Sequence, residues 1–380
     1  MGGGTGGTSA NGGTSASGGT KATGGATGMG GGNATGGTAT GGGTSATAGS
    51  LGTGGATGGN TDRCDVGVYD PATAPTSYTI SNGENVHDPT MILSNGTYYV
   101  FNSGVSLWTR TSTNQTSWGD IKQVFGGTNP GWIASYVSGV GNGDLWAPDV
   151  SYFGGLYHLY YAASTMESKS SCIGHASRAA MDSGAWSEDG GPVICSNVSA
   201  YSGTAVNWNA IDPNIILDET SRPWLVFGSG WDGIQIVRLT SSGALDSTST
   251  ITNIARRSAG VLEAAFMVRR CGYYYLFASW DKCCEGSSST YNIRVGRSSS
   301  MTGGFVDKDG VALLSGGGTK LMGDGNGWVG PGGQSVLFNG TRAYLVYHAY
   351  VANVTTNSFA LHISDLTWNN SGWPVTAASP

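Results

Sequence analysis

The stretch His87-Asp88-Pro89-Thr90-Met91-Ile92, followed after an Asn-Gly turn by Tyr98-Tyr99-Val100-Phe101, is the first of five related segments in this chain. Each segment pairs an apolar opening strand, usually introduced by a carboxylate or a Gly/Pro turn, with a second strand rich in aromatic residues. Units of about 50 to 70 residues with several strands each are typical of propeller blades. The pattern therefore predicts an all-β, five-bladed β-propeller. The other opening strands are at residues 147–150, 211–216, 262–266 and 330–334, and their partners are at 157–161, 224–227, 273–277 and 344–347.

Composition divides the 380 residues into two parts. Residues 1–61 consist almost entirely of Gly, Thr, Ser and Ala, and Lys21 is the only charged residue among them. Such a stretch has too little apolar surface to offset its ordering entropy, which predicts a disordered, flexible linker to another module or to a cell surface. Residues 62–380 are predicted to form the propeller, and any catalytic residues are expected within it.

Charge and hydropathy exclude several classes of protein. The net charge is −6 and no basic run occurs, so a nucleic-acid partner is not expected. No apolar run approaches the roughly 18 residues that a membrane span needs. The N-terminus lacks a basic segment followed by an apolar one, so we expect a secreted protein whose leader is absent from this chain. We also expect a monomer.

The cysteines support an extracellular location. Their spacing fits no zinc template, because two of them are adjacent and no CxxC pair occurs. Disulfides are the alternative that an oxidising compartment allows, although buried free thiols remain open. Cys172 and Cys195 flank one predicted connection and are the best candidates for a pair. The full set is Cys64, Cys172, Cys195, Cys271, Cys283 and Cys284.

Three carboxylates occupy comparable positions near the start of opening strands: Asp88, Asp212 and Glu263. Opening strands of equivalent blades converge on one axis, so the three acids are expected to share one cavity. Like charges held close raise the pKa of at least one member. Asp-Pro pairs are also common turn starters, which is the competing interpretation for Asp88 and Asp212. As a set, the acids predict glycoside hydrolysis with inversion, which needs one ionised and one protonated carboxyl group.

Four other residues are candidates for contact with a sugar. Trp146 precedes a blade-opening proline, and its indole is expected to stack on the apolar face of a sugar ring. The competing interpretation is packing between blades, which also uses aromatic residues. Asn214 and Ser279 are expected to bind sugar hydroxyl groups. Asp149 is expected to be either structural or substrate-orienting.

The opening strands carry short motifs in a fixed order, namely His87-Asp88-Pro89, Trp146-Ala147-Pro148-Asp149, Ile211-Asp212-Pro213-Asn214, Leu262-Glu263-Ala264 and Gly330-Pro331-Gly332. Together they resemble the successive motifs of glycoside hydrolase family 43, the inverting five-bladed propellers that include arabinanases, arabinofuranosidases and β-xylosidases. The resemblance covers nearly everything after about residue 80. Residues 279–284, 289–291 and 295–298 are similar to the arabinanase branch in particular.

This resemblance implies roles for the three acids: Asp88 as general base, Glu263 as general acid, and Asp212 as the residue that orients Glu263 and raises its pKa. The implied substrate is the α-1,5-linked L-arabinan of pectic side chains, cleaved internally. An exo-arabinanase, an α-L-arabinofuranosidase or a β-xylosidase of the same fold is the alternative. Fructan-cleaving propellers are disfavoured because their Asn-Asp-Pro-Asn and Glu-Cys motifs are missing. A non-catalytic carbohydrate-binding propeller is disfavoured because all three acids are present.

The chemistry implied by the family needs no cofactor. His348 resembles the histidine that helps to hold a structural calcium ion at the centre of arabinanases, with water as most of the other ligands. The competing interpretation is a hydrogen-bonded structural histidine. Many members of the branch have a histidine where this chain has Gly333, so one imidazole of the central region is missing. His87 is expected to orient Asp88 rather than to bind a metal.

Overall fold

The computed structural model describes residues 63–141, 143–201 and 205–378. These residues form five antiparallel sheets, one for each of the repeated segments. The prediction of a five-bladed, all-β propeller is therefore confirmed. The predicted linker at residues 1–61 lies outside the described residues.

Each blade contains four antiparallel strands in chain order, and the short strand β3, which interrupts blade 1 in the sequence, joins the sheet of blade 2. Blade 1 contains β1 (Thr90–Ser94), β2 (Thr97–Asn102), β4 (Trp108–Ser112) and β5 (Lys122–Gln123). Blade 2 contains β3 (Gly104–Val105), β6 (Asp144–Phe153), β7 (Leu156–Ala163), β8 (Ser171–Arg178) and β9 (Ser187–Ser196).

The last three blades follow the same plan. Blade 3 contains β10 (Asn214–Leu217), β11 (Pro223–Phe227), β12 (Ile234–Arg238) and β13 (Thr252–Ala255). Blade 4 contains β14 (Leu262–Arg270), β15 (Tyr273–Trp280), β16 (Asn292–Ser298) and β17 (Thr319–Met322). Blade 5 contains β18 (Trp328–Asn339), β19 (Arg342–Val351), β20 (Phe359–Trp368) and β21 (Pro374–Thr376). The described helices are short: α1 (Ile133–Tyr136) and two 3₁₀ turns, Gly286–Ser288 and Leu313–Ser315.

Apolar side chains between neighbouring blades form the core. In the cluster between blades 4 and 5, Tyr275 and Phe277 of β15 pack with Leu345 and Tyr347 of β19, and all four are fully buried. Full burial of such a side chain stabilises the fold by about 1.5–3 kcal/mol. The sequences of the inner strands are therefore mostly apolar, because neighbouring blades cover both of their faces.

The opening strands share one backbone feature that directs side chains toward the axis. Near the start of each strand one residue has a positive φ angle: Asp88 (51°), Ala147 (43°), Asp212 (56°), Ala264 (51°) and Gly333 (57°). In blades 2, 4 and 5 the strand pairing shifts across a bulge at this point. Bulges of this kind commonly re-aim side chains next to active sites.

The segment that precedes β1 closes the ring. It pairs with β20 of blade 5, where the Tyr78 N–H donates to the Ile363 carbonyl at 2.9 Å. A disulfide joins Cys64, at the beginning of this segment, to Cys271 in the turn between β14 and β15. Disulfides that close long loops typically stabilise a fold by about 2–4 kcal/mol. The first described residues therefore connect blades 1, 4 and 5.

Two further disulfides complete the set, and no described cysteine is free. The predicted pair Cys172 and Cys195 is confirmed and links β8 to β9. Cys283 and Cys284 are bonded to each other although they are neighbours in the chain. None of the helices in the described ranges has the length and apolar character needed to cross a membrane.

Candidate active site

A cavity opens at the propeller axis, and every blade contributes to its wall. Blades 1 to 5 contribute, in that order, Asp88, Asp149, Asp212, Ala264 and Gly333 to the lining. Glu263 directly precedes Ala264, and its carboxyl group interacts electrostatically with that of Asp88. The structure thus brings together the three acids that the sequence singled out.

Asp88 is held as an ionised carboxylate. Its Oδ2 accepts hydrogen bonds from His87 Nδ1 at 2.8 Å and from the Ser103 hydroxyl at 2.7 Å. Burial alone would raise the pKa of Asp88, but electrostatic interaction and hydrogen bonding with His87, together with contributions from His348 and Ser103, lower it to about 2. A carboxylate that stays ionised at neutral pH can accept a proton from water.

Glu263 has the opposite electrostatic character. Burial raises its pKa, although hydrogen bonds from the Ser229 hydroxyl to Oε2 and from the Tyr291 hydroxyl to Oε1 oppose that rise. Both donors are buried themselves. Two hydroxyl groups therefore fix the orientation of Glu263 inside the cavity.

Asp212 interacts with Glu263 through charge and through the backbone. Burial raises the pKa of Asp212 well above its usual value, and repulsion from Glu263 and Asp88 raises it further. Its Oδ2 accepts the N–H of Ala264 at 2.8 Å. Since two such carboxyls cannot both ionise cheaply, Asp212 and Glu263 retain one proton at a pH where isolated carboxyls would have lost it.

Asn214 and Ser279 are buried behind the residues that line the cavity and are not part of its lining. Both are fully buried. Asn214 Oδ1 accepts the Met267 N–H at 2.8 Å, and Ser279 donates to Gln334 Oε1 at 2.9 Å. These bonds join each residue to the following blade. The prediction that the two side chains bind sugar directly is not supported by this arrangement.

Asp149 makes the corresponding connection between blades 2 and 3. It is buried, and its oxygens accept the Ile215 N–H at 3.0 Å, the Asn214 amide at 3.2 Å and the Ser151 hydroxyl at 3.0 Å. Burial raises the pKa of Asp149 to about 6 against the effect of these bonds. Of the two roles considered for Asp149, these contacts favour the structural one.

Two tryptophans near the cavity have accessible rings. Trp146 directly precedes the left-handed residue of blade 2 and is partly exposed. Trp231, in the loop after β11, is 47% exposed, and the Lys169 ammonium lies 5.8 Å from its ring centroid. That loop also contains Ser229, which bonds Glu263. Trp146 as a sugar platform stays a prediction, and Trp231 is a second candidate.

His348 meets only part of what a calcium ligand needs. With His87 and Asp88 it forms a group of potential ligand atoms within 4.8 Å of one another. Burial holds the pKa of His348 well below its usual value, so the ring is neutral. Its Nδ1 accepts the Asp88 N–H at 3.1 Å, which leaves the ring proton on Nε2. That buried Nε2 has no hydrogen-bond partner within the described ranges, so these residues fit a hydrated calcium ion better than direct ligation.

Gly333 is in close contact with the base. A methyl group added at its Cα would lie 2.5 Å from Asp88 Oδ1 and 2.7 Å from His348 Nδ1. Its φ of 57° also favours glycine. The missing side chain at this position therefore leaves space for Asp88 and His348.

Sequence reasoning missed four residues that contact the acids or their partners: Ser103, Ser229, Tyr291 and Tyr350. They come from loops and second strands, not from the repeated openings. Only Tyr291 had a sequence signal, because it ends one of the stretches that resemble the arabinanase branch.

Known proteins share this architecture over most of their length. The sequence model of the family described as "Glycosyl hydrolases family 43" matches residues 80–374. The extracellular endo-α-(1→5)-L-arabinanase 1 of Bacillus subtilis (strain 168) is 40% identical over 310 residues, which cover 80% of this chain and 91% of the relative. The extracellular exo-α-(1→5)-L-arabinofuranosidase of Cellvibrio japonicus (strain Ueda107) is 34% identical over 306 residues, which cover 76% and 86%.

A solved structure agrees with these sequence matches. The α-L-arabinanase of Cellvibrio cellulosa, determined in complex with arabinohexaose, superposes with a TM-score of 0.72 at 33% identity. The match covers 78% of this chain and 96% of that structure. The family resemblance carried by the ordered motifs is therefore confirmed.

Proposed function

The chain belongs to glycosyl hydrolases family 43, and on this premise we propose that it is an endo-acting α-1,5-L-arabinanase that hydrolyses arabinan with inversion. The observation that carries the proposal is the electrostatic contrast across one cavity. Asp88 is held ionised, with a pKa of about 2, while Asp212 and Glu263 together retain a proton. Pairs of carboxyls whose environments separate their pKa values mark the base and the acid of a glycosidase.

The mechanism follows from these protonation states. Asp88 takes a proton from a water molecule that attacks the anomeric carbon. Glu263 gives its proton to the departing glycosidic oxygen on the other side of the sugar. Asp212 raises the pKa of Glu263 by repulsion and holds the backbone that follows it through the Ala264 N–H. His87 and Ser103 orient Asp88, whereas Ser229 and Tyr291 orient Glu263.

Two carboxyl groups are sufficient for this chemistry, so hydrolysis itself needs no cofactor. We propose that a structural calcium ion nevertheless binds at the axis, with its bound water contacting His348 and Asp88. When bound, the ion would supply positive charge near carboxylates that burial disfavours. We also propose that Trp146 stacks on a sugar ring of the substrate.

Internal attack is favoured over terminal attack. The endo-acting Bacillus relative is more similar than the exo-acting Cellvibrio relative, at 40% against 34% identity. Both relatives are described as extracellular, which supports secretion of this protein. We propose a monomer, in which one chain supplies all three acids and completes the site without a second copy. We propose that residues 1–61 link the propeller to another module.

The test is to assay the full chain on linear arabinan, arabinoxylan and levan, and to follow product lengths over time. Internal cleavage of arabinan predicts a rapid fall in viscosity and early oligosaccharides of mixed length. Release of one short product from the start would favour the exo-acting alternative. Xylose from arabinoxylan without release from arabinan would favour a β-xylosidase, and no reducing sugar from arabinan would overturn the proposal.

Inversion of configuration at the anomeric carbon has its own test. Proton NMR of the first product should show the inverted anomer, because Asp88 activates water and forms no bond to the sugar. Appearance of the retained anomer would remove Asp88 from the role of base.

A further inference from the structure

The disulfide between Cys283 and Cys284 lies beside the base of the proposed site. It belongs to the loop that follows β15 in blade 4, and Cys284 is exposed. The sulfur of Cys284 is 3.9 Å from His87 Nε2. The mechanism above gives this disulfide no role.

Hydrogen bonds connect Cys284 to Asp88 through two intermediate side chains. The Cys284 N–H donates to the Tyr350 hydroxyl oxygen at 2.9 Å. That hydroxyl is 2.5 Å from His87 Nε2, and His87 Nδ1 is 2.8 Å from Asp88 Oδ2. Three bonds in series therefore join the loop backbone to the carboxylate.

The Cys284 N–H permits donation in one direction along the whole series, from the loop to the carboxylate. Because the Tyr350 oxygen accepts the Cys284 N–H, its own proton can point to His87 Nε2. A neutral His87 whose Nε2 accepts must carry its proton on Nδ1, and Nδ1 then donates to Asp88. Tyr350 is fully buried, so water does not readily replace the N–H in this role.

A disulfide between adjacent residues closes a small ring that contains the peptide bond between them. The ring leaves Cys284 few backbone conformations, and the one observed has a φ of 68°. Residues other than glycine rarely adopt such an angle without a local constraint. The covalent ring thus holds the Cys284 N–H in the direction of Tyr350.

We propose that the Cys283–Cys284 disulfide is a positioning group for Asp88, which it orients through the Cys284 N–H, Tyr350 and His87. The proposal rests on the hydrolytic function proposed above. It assigns the disulfide to the geometry of the base and not to the stability of the whole domain.

The kinetic test compares two variants that each lack one disulfide. Cys283→Ser/Cys284→Ser should lower kcat/KM on linear arabinan by about 10- to 100-fold, the range expected when a catalytic group is misplaced. The acid limb of its kcat/KM profile should move to higher pH, because Asp88 loses part of the hydrogen bonding that keeps it ionised. The matched control, Cys64→Ser/Cys271→Ser, should lose thermal stability but keep the wild-type acid limb.

Tyr350→Phe breaks the same series of bonds without touching a cysteine. It should reproduce the shift of the acid limb, and combining it with Cys283→Ser/Cys284→Ser should add little, because residues in one network are not additive. This variant keeps the proposal falsifiable if the loop variant does not fold. An unchanged acid limb in Tyr350→Phe would overturn the proposal.

A spectroscopic readout separates this proposal from the proposed function. Long-range proton–nitrogen NMR of ¹⁵N-histidine-labelled protein reports which ring nitrogen of His87 is protonated, with His87→Gln to assign the signals. Wild type should show the proton on Nδ1, and the two variants that break the series should show a mixture. If wild type does not cleave arabinan, the proposed function fails, while the same spectra still decide the role of the disulfide. A pure Nδ1 signal in all variants would overturn it.

Discussion

The Oδ2 atom of Asp212 accepts the backbone N–H of Ala264 at 2.8 Å. Ala264 is the left-handed residue of blade 4 and directly follows Glu263. One carboxyl group of blade 3 therefore sets both the position and the charge environment of the acid in blade 4.

Asp212→Asn should separate these two effects. An asparagine oxygen can still accept the Ala264 N–H, but the negative charge is lost. The proton that the pair retains would then be lost at lower pH, because repulsion between the carboxyls no longer raises its pKa. We expect the alkaline limb of the kcat profile to shift to lower pH, measured on linear arabinan across pH 4 to 9. An unmoved alkaline limb would show that Asp212 acts through position alone.

Glu263→Gln should abolish cleavage while leaving binding intact. Loss of a general acid costs about 10²- to 10⁴-fold in rate. The substitution preserves shape, so calorimetric binding of arabino-oligosaccharides should change little. The control is Glu219→Gln, an exposed carboxyl in the turn after β10, which should retain wild-type kcat. A Glu263→Gln enzyme that still hydrolyses arabinan would exclude Glu263 as the acid.

Gly333→Ala should impair the base directly. The added methyl group would meet Asp88 Oδ1 and His348 Nδ1 below contact distance. Gly340→Ala is a matched control, since Gly340 has a φ of 58° and nothing within 4 Å of the same added atom. Both variants should lose about 1–2 kcal/mol of unfolding free energy from the left-handed backbone. Only Gly333→Ala should also lose kcat/KM, and equal kcat/KM in the two variants would contradict the contact.

Asp149→Ala should destabilise the propeller. Removing the carboxylate leaves the buried Ile215 N–H and Asn214 amide without this acceptor. Each buried donor left unsatisfied costs about 1–3 kcal/mol. Urea unfolding should show this loss, whereas Asp309→Ala, at a carboxyl that is 69% exposed, should change stability little. A direct role in sugar binding would instead raise KM without changing the unfolding free energy.

Calcium should stabilise the wild-type protein. An ion that binds only the folded state raises its melting temperature in proportion to the logarithm of ion concentration. We expect a chelator to lower Tm and added calcium to restore it, measured by calorimetry. His348→Gln should weaken this response, because the neutral ring no longer orients the water of the ion. A melting temperature independent of both chelator and calcium would argue against the site.

The sequence was sufficient to predict the five-bladed propeller and the three clustered acids, because both predictions follow from the repeated opening strands. Alternation of apolar and aromatic strands repeats with the blade. Asp88 and Asp212 occupy the left-handed position of their blades, whereas Glu263 lies one residue before it. That offset depends on a bulge in β14, which the pattern of residue types does not reveal.

The sequence was less informative about which polar residues face the cavity. Asn214 follows Asp212 closely in the chain and Ser279 pairs with Glu263 across β14 and β15, yet both side chains bond to the next blade. Ser229 and Tyr291 contact Glu263 from loops that no repeat predicts. Side-chain direction next to a bulge, and contacts between loops far apart in sequence, depend on tertiary packing.

The disulfide between Cys64 and Cys271 spans 207 residues and so encloses blades 1, 2 and 3 in one covalent loop. A single proteolytic cut within that loop leaves both fragments attached to each other. Nicked molecules would therefore migrate as one species without a reductant and separate into two with it. Such retention allows the blades to remain paired, and the cavity to remain assembled, after the backbone has been cleaved.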